Sequence, residues 1–553
     1  MFVVARGGVE RYVARVTARG SVTQPSAREN TARRIAAIDV GSNSIRQIIA
    51  DVRPDGSIEV VDEMKAHPRL GRGMDRSGAL GTESMELAVA ALQRMATLAK
   101  QFGAGRVEAV ATSAVREAEN AEFFVARVKQ ATGLRLRVLK GEDEARLMFR
   151  SALAHFELGA GRTVVLDIGG GSLEIALAAE GVVDRLASLP LGAIRMTERY
   201  GDGDGLRVDK LRKRVRKQLK AVISKSDWRG ARVIGSGGTF TNLAGMHLHR
   251  QGVFAAKSVH GTVIPRTEVE HILDVLAAMS EDERRAMPGL NADRADIIVA
   301  GVAVIAEVLA RVDARDLVVS RFGIREGLLL ESARVTPVVA DPGEGRERSI
   351  RELAERCHYE RKHALAVQTI ALRLFDALAA RLALSPADRR ILADAALLHD
   401  VGYHINYERH HKHSYHLILH ADLLGVTPEE QVLIANVARY HRGREPGRRQ
   451  ANYGELDRGL RRRVKRLSAI LRVADGLDRG HVGAVGSVKV RWVDRALRIT
   501  AVPVRADAPL RLECWGAHRK SGLLAKVTGK PVEIVTPDGE VLSSTAIGEA
   551  VAG

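Results

Sequence analysis

The sequence predicts two similar α/β lobes facing each other across a cleft, followed by a mostly helical segment and a small β-rich end. Three observations predict it. The segment Asp39-Val-Gly-Ser-Asn-Ser-Ile-Arg-Gln-Ile-Ile-Ala50 recurs as Asp167-Ile-Gly-Gly-Gly-Ser-Leu-Glu-Ile-Ala-Leu-Ala178, a third glycine loop stands at Gly235-Ser-Gly-Gly-Thr239, and ten of the 18 histidines crowd between residues 358 and 441. At 553 residues the chain also exceeds the roughly 250–300 residues at which one hydrophobic core stops growing, so several domains are required.

Residues 1–33 read as a basic mobile tail, because MFVVARGGVERYVARVTARG interrupts every would-be apolar run with arginine, unlike a secretory signal. Hydrophobic residues at 46% and charged residues at 27% describe an ordinary soluble globular chain. The two cysteines, Cys357 and Cys514, are too few for a disulfide scaffold or a CxxC site and fit a reducing, cytoplasmic setting. The best apolar run, Ile297 to Ala306, stops at Glu307, well short of the roughly 18 residues of a membrane span. A net charge of +18 should draw in polyanions, and its sign does not choose among nucleic acid, polyphosphate and acidic lipid. Aromatic content of 4% counts against single-stranded nucleic acid, whose bases stack on aromatic rings.

The first lobe is placed at 34–150 and the second at 151–334. In each, an apolar strand (Ile35 to Ile38; Thr163 to Leu166) runs into an Asp, a Gly/Ser turn and a second strand, a β-hairpin whose turn presents backbone N–H groups. Such turns can cradle phosphate oxygens. This makes Asp39, Gly41, Ser42, Asn43, Ser44, Gly169, Gly170, Gly171 and Ser172 candidate phosphate-binding positions. Gly235, Ser236, Gly237, Gly238 and Thr239 would add N–H donors at a helix start. Between the hairpins, Ala109 to Asn120 reads as a strand entering a helix with Arg116 near its start, a permanently charged fork suited to phosphate. Glu142, Asp143 and Glu144 follow Gly141 in an acidic first helical turn, where favourable capping explains all three equally well.

Together with Gly141-Glu-Asp-Glu-Ala-Arg-Leu147 and Ser320-Arg-Phe-Gly-Ile-Arg-Glu-Gly327, these motifs closely resemble the exopolyphosphatase and guanosine-pentaphosphate phosphohydrolase (Ppx/GppA) family, over about residues 34 to 332. The resemblance implies two actin-like, ribonuclease H-like lobes of the sugar-kinase and Hsp70 type. It also implies a hydrolase that removes terminal phosphate from inorganic polyphosphate or the 5′ γ-phosphate from pppGpp. Glu144 matches the family's water-activating base, Arg116 a phosphate-holding arginine, and Asp167 and Glu174 the acids that hold a magnesium ion in the cleft. An ATP-dependent kinase of the same fold, a non-hydrolytic polyphosphate or nucleotide sensor, and an HD-type metal phosphohydrolase whose front half is regulatory are the competing readings.

A Pro/Gly-punctuated linker is expected at 335–347 and a helical domain at 348–482, where Val367, Ile370, Leu374, Leu378 and Leu382 recur at helical spacing. His363, the His399-Asp400 dyad and Asp475 resemble the signature of HD-type metal phosphohydrolases, with His413 and His441 as weaker further ligands. A transition-metal, Mg2+ or Mn2+ ion is implied there, as is the alternative of a degenerate domain that only binds polymer or a second copy in a homodimer. Arg439, Arg442, Arg444, Arg448, Arg449 and the run Arg458 to Arg466 read either as a path for a long polyanion or as a solvated basic face. Residues 483–553 alternate in strand fashion, as in Ser487 to Val493 and Ala496 to Val502, and predict a small β-rich domain without chemistry of its own.

Overall fold

A computed structural model describes residues 32–542 apart from 159–160, 202–204, 255–257, 336–341, 422, 424, 494, 506–507 and 509. Residues 1–31 of the expected basic tail and 336–341 of the expected linker therefore lie outside the described residues.

The internal repeat is a repeat of sheets. In the first lobe β1 (Arg33–Val40), β2 (Ile45–Val52), β3 (Ile58–Ala66), β4 (Arg106–Ala111) and β5 (Leu136–Val138) form a sheet in the order β3-β2-β1-β4-β5. In the second, β6 (Arg162–Ile168), β7 (Leu173–Ala179), β8 (Val182–Leu189), β9 (Arg232–Ser236), β10 (Val263–Pro265) and β11 (Asp316–Val319) lie in the order β10-β11-β9-β6-β7-β8. Each sheet joins a three-stranded antiparallel meander to parallel strands, β1 beside β4 and β6 beside β9. The inner strands are covered on both faces, so Ile35 to Ile38 and Val164 to Leu166 are near-continuous apolar runs.

Two helices cross between the lobes. Gly141–His155, reached from the first lobe, packs through Ala145, Met148, Phe149 and Ala152 on β6, β7 and β9. Ile324–Ser332 returns from the second lobe and packs through Leu328, Leu329 and Leu330 against Ile35, Ala37 and Ile48. The expected lobe boundary at 150 is corrected: it falls inside a helix whose apolar face belongs to the second sheet. The long apolar run is the buried helix Ile298–Arg311, whose Glu307 is paired with Arg212 and, at 2.8 Å, with Arg216. Among the described residues no helix is long and apolar enough to cross a membrane.

The second half begins inside the expected linker, with helix Pro342–Arg356, and continues through Arg361–Leu378, Pro386–Leu398, His410–His420, Pro428–Arg439 and Arg458–Gly476. Ser385 and Thr427 cap their helices reciprocally with Asp388 and Glu430, each with proline at the first turn. A third sheet, β12 (Val485–Trp492), β13 (Leu497–Pro503), β14 (Val532–Val535) and β15 (Val541–Leu542), follows in chain order. Helices Arg511–Lys520 and Gly522–Thr528 connect the parallel pair β13 and β14. One core holds Leu374, Leu378 and Leu471 together with Ile499, Cys514, Leu523 and Ile534, so the expected division at 483 is not a division of packing. The same core takes in Leu248 and Val253, which docks this half on the second lobe.

Candidate active site

Asp39 and Asp167 stand near the carboxyl ends of β1 and β6, the end at which open α/β sheets bind ligands. The hairpin ladders set Arg46 opposite Asp39 and Glu174 opposite Asp167. Each turn is closed by a backbone bond, Gly41 N to Ser44 O at 3.1 Å and Gly169 N to Ser172 O at 3.0 Å. The two turns meet across the cleft. A Cβ on Gly170 would come within 2.9 Å of Ser42 Cβ, and one on Gly171 within 2.3 Å of Ser113 Oγ, so only glycine permits this approach. Gly237, at φ 95°, brings the third loop against Asp167, where a Cβ would stand 2.3 Å from Oδ1. Ion pairs Arg69 to Asp296 at 2.9 Å, Asp75 to Arg199 at 2.9 Å and Glu117 to Arg195 at 2.6 Å bridge the lobes beside the cleft.

Of the acidic first turn only Glu144 points inward, buried, while Glu142 faces solvent and Asp143 pairs with Arg146. Arg116 donates to the Glu144 carboxylate and to Leu139 O at 3.0 Å, and Ser188 Oγ donates to Glu174 at 2.8 Å. Burial raises four acids of the cleft, Asp39, Glu144, Asp167 and Glu174. Asp39 is pushed up to about 6, and Asp167, with Asp39 adding to the effect, to about 6. Glu144 is pushed far up by burial and by Glu174, against the pull of Arg116. Burial also lowers Arg46, which is crowded by Arg325, and takes Arg294 down to about 10. Asp39 Oδ1 and Asn43 Nδ2 are buried without a protein partner.

The cleft, about 840 Å3 including its open mouth, is lined by Asp39, residues 41–44, Glu144, Asp167, residues 169–172, Glu174, Gly237 and Gly238. Three expected positions are corrected. Gly235 lies behind the cleft against the Phe240 ring, while Ser236 at the end of β9 stands beside Asp167, and Thr239 turns onto Gly301 of helix Ile298–Arg311. Arg116 backs Glu144 rather than lining the cleft. Sequence reasoning missed Arg46, Arg294 and Arg325, all of which line it. Arg46 was within reach, since it occupies in the first repeat the place of Glu174 in the second. Arg294 comes from the turn Ala292–Arg294, which carries no motif.

A second constellation lies in the helical half. Asp400 Oδ2 faces His399 Nε2 at 3.4 Å and His363 Nε2 at 3.6 Å, and its Oδ1 faces His410 Nε2 at 3.1 Å and His441 Nε2 at 3.4 Å. Asp475 Oδ1 lies 3.8 Å from His363 Nε2. Each ring is held from its far side: Nδ1 of His363 by Asp478 at 2.9 Å, of His399 by Ala396 O at 2.7 Å, of His410 by Tyr407 O at 3.0 Å and of His441 by Ala438 O at 2.7 Å. Four Nε2 atoms therefore converge on one carboxylate, a donor set that fits a divalent metal with its ring orientations already fixed. His413 is corrected to His410. On that helix the inward position of the next turn belongs to Ser414, which donates to His399 O at 2.7 Å, and His413 is left half-exposed. The basic run Arg458 to Arg466 lies at the other end of these helices and is partly neutralised, since Arg463 pairs with Asp388 at 2.7 Å and Glu429 at 2.8 Å.

Comparison with known proteins finds a family model, the Ppx/GppA phosphatase family, matching residues 48–335, and a second, Ppx/GppA phosphatase domain III, matching 346–501. The chain belongs to the Ppx/GppA phosphatase family. It is similar to a guanosine-5′-triphosphate,3′-diphosphate pyrophosphatase of Pseudoalteromonas atlantica, 28% identical over 79% of this chain and 86% of that protein. Among solved structures it resembles an exopolyphosphatase from Cytophaga hutchinsonii, 26% identical, with a TM-score of 0.50 over 56% of this chain and all of the other. It also resembles the Aquifex aeolicus Ppx/GppA family member, 30% identical, with a TM-score of 0.48 over 55% of this chain and 98% of that one.

As a Ppx/GppA phosphatase the chain is a hydrolase of phosphoanhydride bonds. The cleft is suited to that chemistry. Phosphoryl transfer asks chiefly for positioning and charge neutralisation, which N–H turns and buried arginines supply.

Proposed function

We propose that this Ppx/GppA phosphatase is an exopolyphosphatase, removing terminal phosphate from inorganic polyphosphate with Glu144 as the base that takes a proton from the attacking water. The observation that carries the reading is the setting of Glu144, a buried carboxylate among four other acids, with phosphate-shaped turns on both sides. Its anion is stabilised by Arg116, which holds the carboxylate in place and opposes the burial that favours the proton. Residues 41–44, 169–172 and 237–238 with Arg46 and Arg294 would hold the phosphate chain. Among the described lining residues none is aromatic, which suits a phosphate chain better than a purine.

Asp167 and Glu174, on one rung of the β6–β7 ladder, fit a magnesium ion, which takes carboxylates, waters and substrate phosphates as ligands. When bound, it would supply positive charge to the phosphoryl oxygens. The same reading gives the helical half a divalent ion on His363, His399, Asp400 and Asp475; the convergent set His363, His399 and Asp400 supports it, with Asp475 Oδ1 3.8 Å from His363 Nε2.

The similarity to a guanosine-5′-triphosphate,3′-diphosphate pyrophosphatase favours a second reading, removal of the 5′ γ-phosphate from pppGpp. Phosphate release by the wild-type chain with Mg2+, from long-chain polyphosphate and from pppGpp side by side, separates them. Faster release from polyphosphate is expected. Preference for pppGpp selects the second reading, and no release from either rejects both.

A further inference from the structure

The helical-half cluster receives a residue from outside its own helices. Lys520 ends helix Arg511–Lys520 and donates through Nζ to Asp475 Oδ2, the oxygen turned away from His363. It lies beyond the residues matched by the domain III model, which end at 501. Its position is built in. Helix Arg511–Lys520 crosses helix Arg458–Gly476 at a pair of glycines: a Cβ on Gly476 would stand 2.6 Å from Ala517 Cα, and one on Gly516 would stand 2.5 Å from Gly476 O. Leu523 and Leu524, just after Lys520, are buried in the common core and pin the far end.

Asp475 is 11% exposed, and its carboxylate is costly to keep ionised without a cation beside it. Lys520 supplies that cation, from a flexible four-carbon stem whose side chain is still 20% exposed. A divalent ion taking Asp475 as ligand would meet an ammonium already bonded to the same carboxylate. The two cations repel, and the stem has room to swing outward. Resting on the reading that this cluster binds a divalent ion, we propose that Lys520 is a tethered competitor for Asp475, so that the C-terminal helix sets the metal affinity of the helical-half centre. The device lets the cluster fold charge-compensated without metal and makes occupancy depend on displacing one side chain.

The test is calorimetric titration of Mn2+ into the chelator-treated full-length chain, comparing wild type, Lys520→Met and Lys520→Gln, with His399→Ala/Asp400→Ala identifying the signal from this cluster. Both neutral variants are expected to bind Mn2+ at that site about tenfold more tightly or better, as loss of a unit charge beside the ion requires. Lys520→Met without metal should melt below the wild type, and Mn2+ should raise its melting temperature by more than it raises the wild type's. Adding Asp475→Asn to Lys520→Met should abolish the gain, because the lysine acts through that carboxylate. Equal or weaker binding by folded neutral variants overturns the role of Lys520 while leaving the metal site standing. Absence of a cluster-dependent signal in wild type and variants alike overturns both.

Discussion

The front cleft and the helical-half cluster gather charged groups in opposite ways. In the cleft, acids face acids: Asp39, Glu144, Asp167 and Glu174 are buried together and all pushed upward. In the cluster, acids face bases. Burial opposes the charge of Asp400 and Asp475, yet the surrounding imidazoles hold Asp400 well below the ordinary carboxylate range, and Lys520 with the histidines does the same for Asp475. The first arrangement also crowds like charges among its arginines, Arg46 beside Arg325, and stands to gain from a cation for its acids and phosphates for its arginines. The second is already compensated from within, so an incoming ion must displace something. Similar residue types thus make one site that recruits charge and another that has to be opened to it.

The comparison can be broken most decisively at Glu144. Glu144→Gln should lower turnover by about 10²–10⁴, the contribution of a positioned base, while melting no lower than the wild type because a strained buried acid has been removed. At the cluster, Gly476→Val is expected to cost about 2–3 kcal/mol in urea unfolding, since the branched side chain overlaps the backbone of Ala517.

A subtler difference lies in pH dependence. Arg116 lowers the otherwise raised Glu144, so Arg116→Ala should raise it further, and the pH at which turnover reaches half its maximum on the acidic limb should move upward. An unmoved limb would detach Arg116 from the base. Arg69→Ala, which removes a half-exposed pair between the lobes, should cost no more than about 1 kcal/mol in stability.

How much of this was legible in the sequence follows the same division. The cleft is built from contiguous turns, so its glycines and acids stand in short motifs, and the repeat that starts at Asp39 and Asp167 marks the hairpin of each sheet in the sequence. What escaped were side chains delivered from a distance, above all Arg294. In the cluster, ligands come from five helical segments and a distant C-terminal lysine. The His399-Asp400 dyad could be read, but the choice among His410, His411 and His413 depends on which face of the helix is inward, and the run of histidines conceals that. The lobe boundary was misplaced because Gly141–His155 leaves one lobe and packs on the other, a crossing that composition does not mark. The β-rich end appeared separate for the same reason: alternation reports a strand, not the core its inner face joins.

The central claim is that phosphate release belongs to the cleft and not to the cluster. The direct measurement is initial phosphate release from long-chain polyphosphate with Mg2+ by wild type, Glu144→Gln and His399→Ala/Asp400→Ala. Release is expected to collapse in Glu144→Gln and to persist in the cluster variant. Release that survives Glu144→Gln but disappears with His399 and Asp400 would contradict it and move the reaction to the helical half.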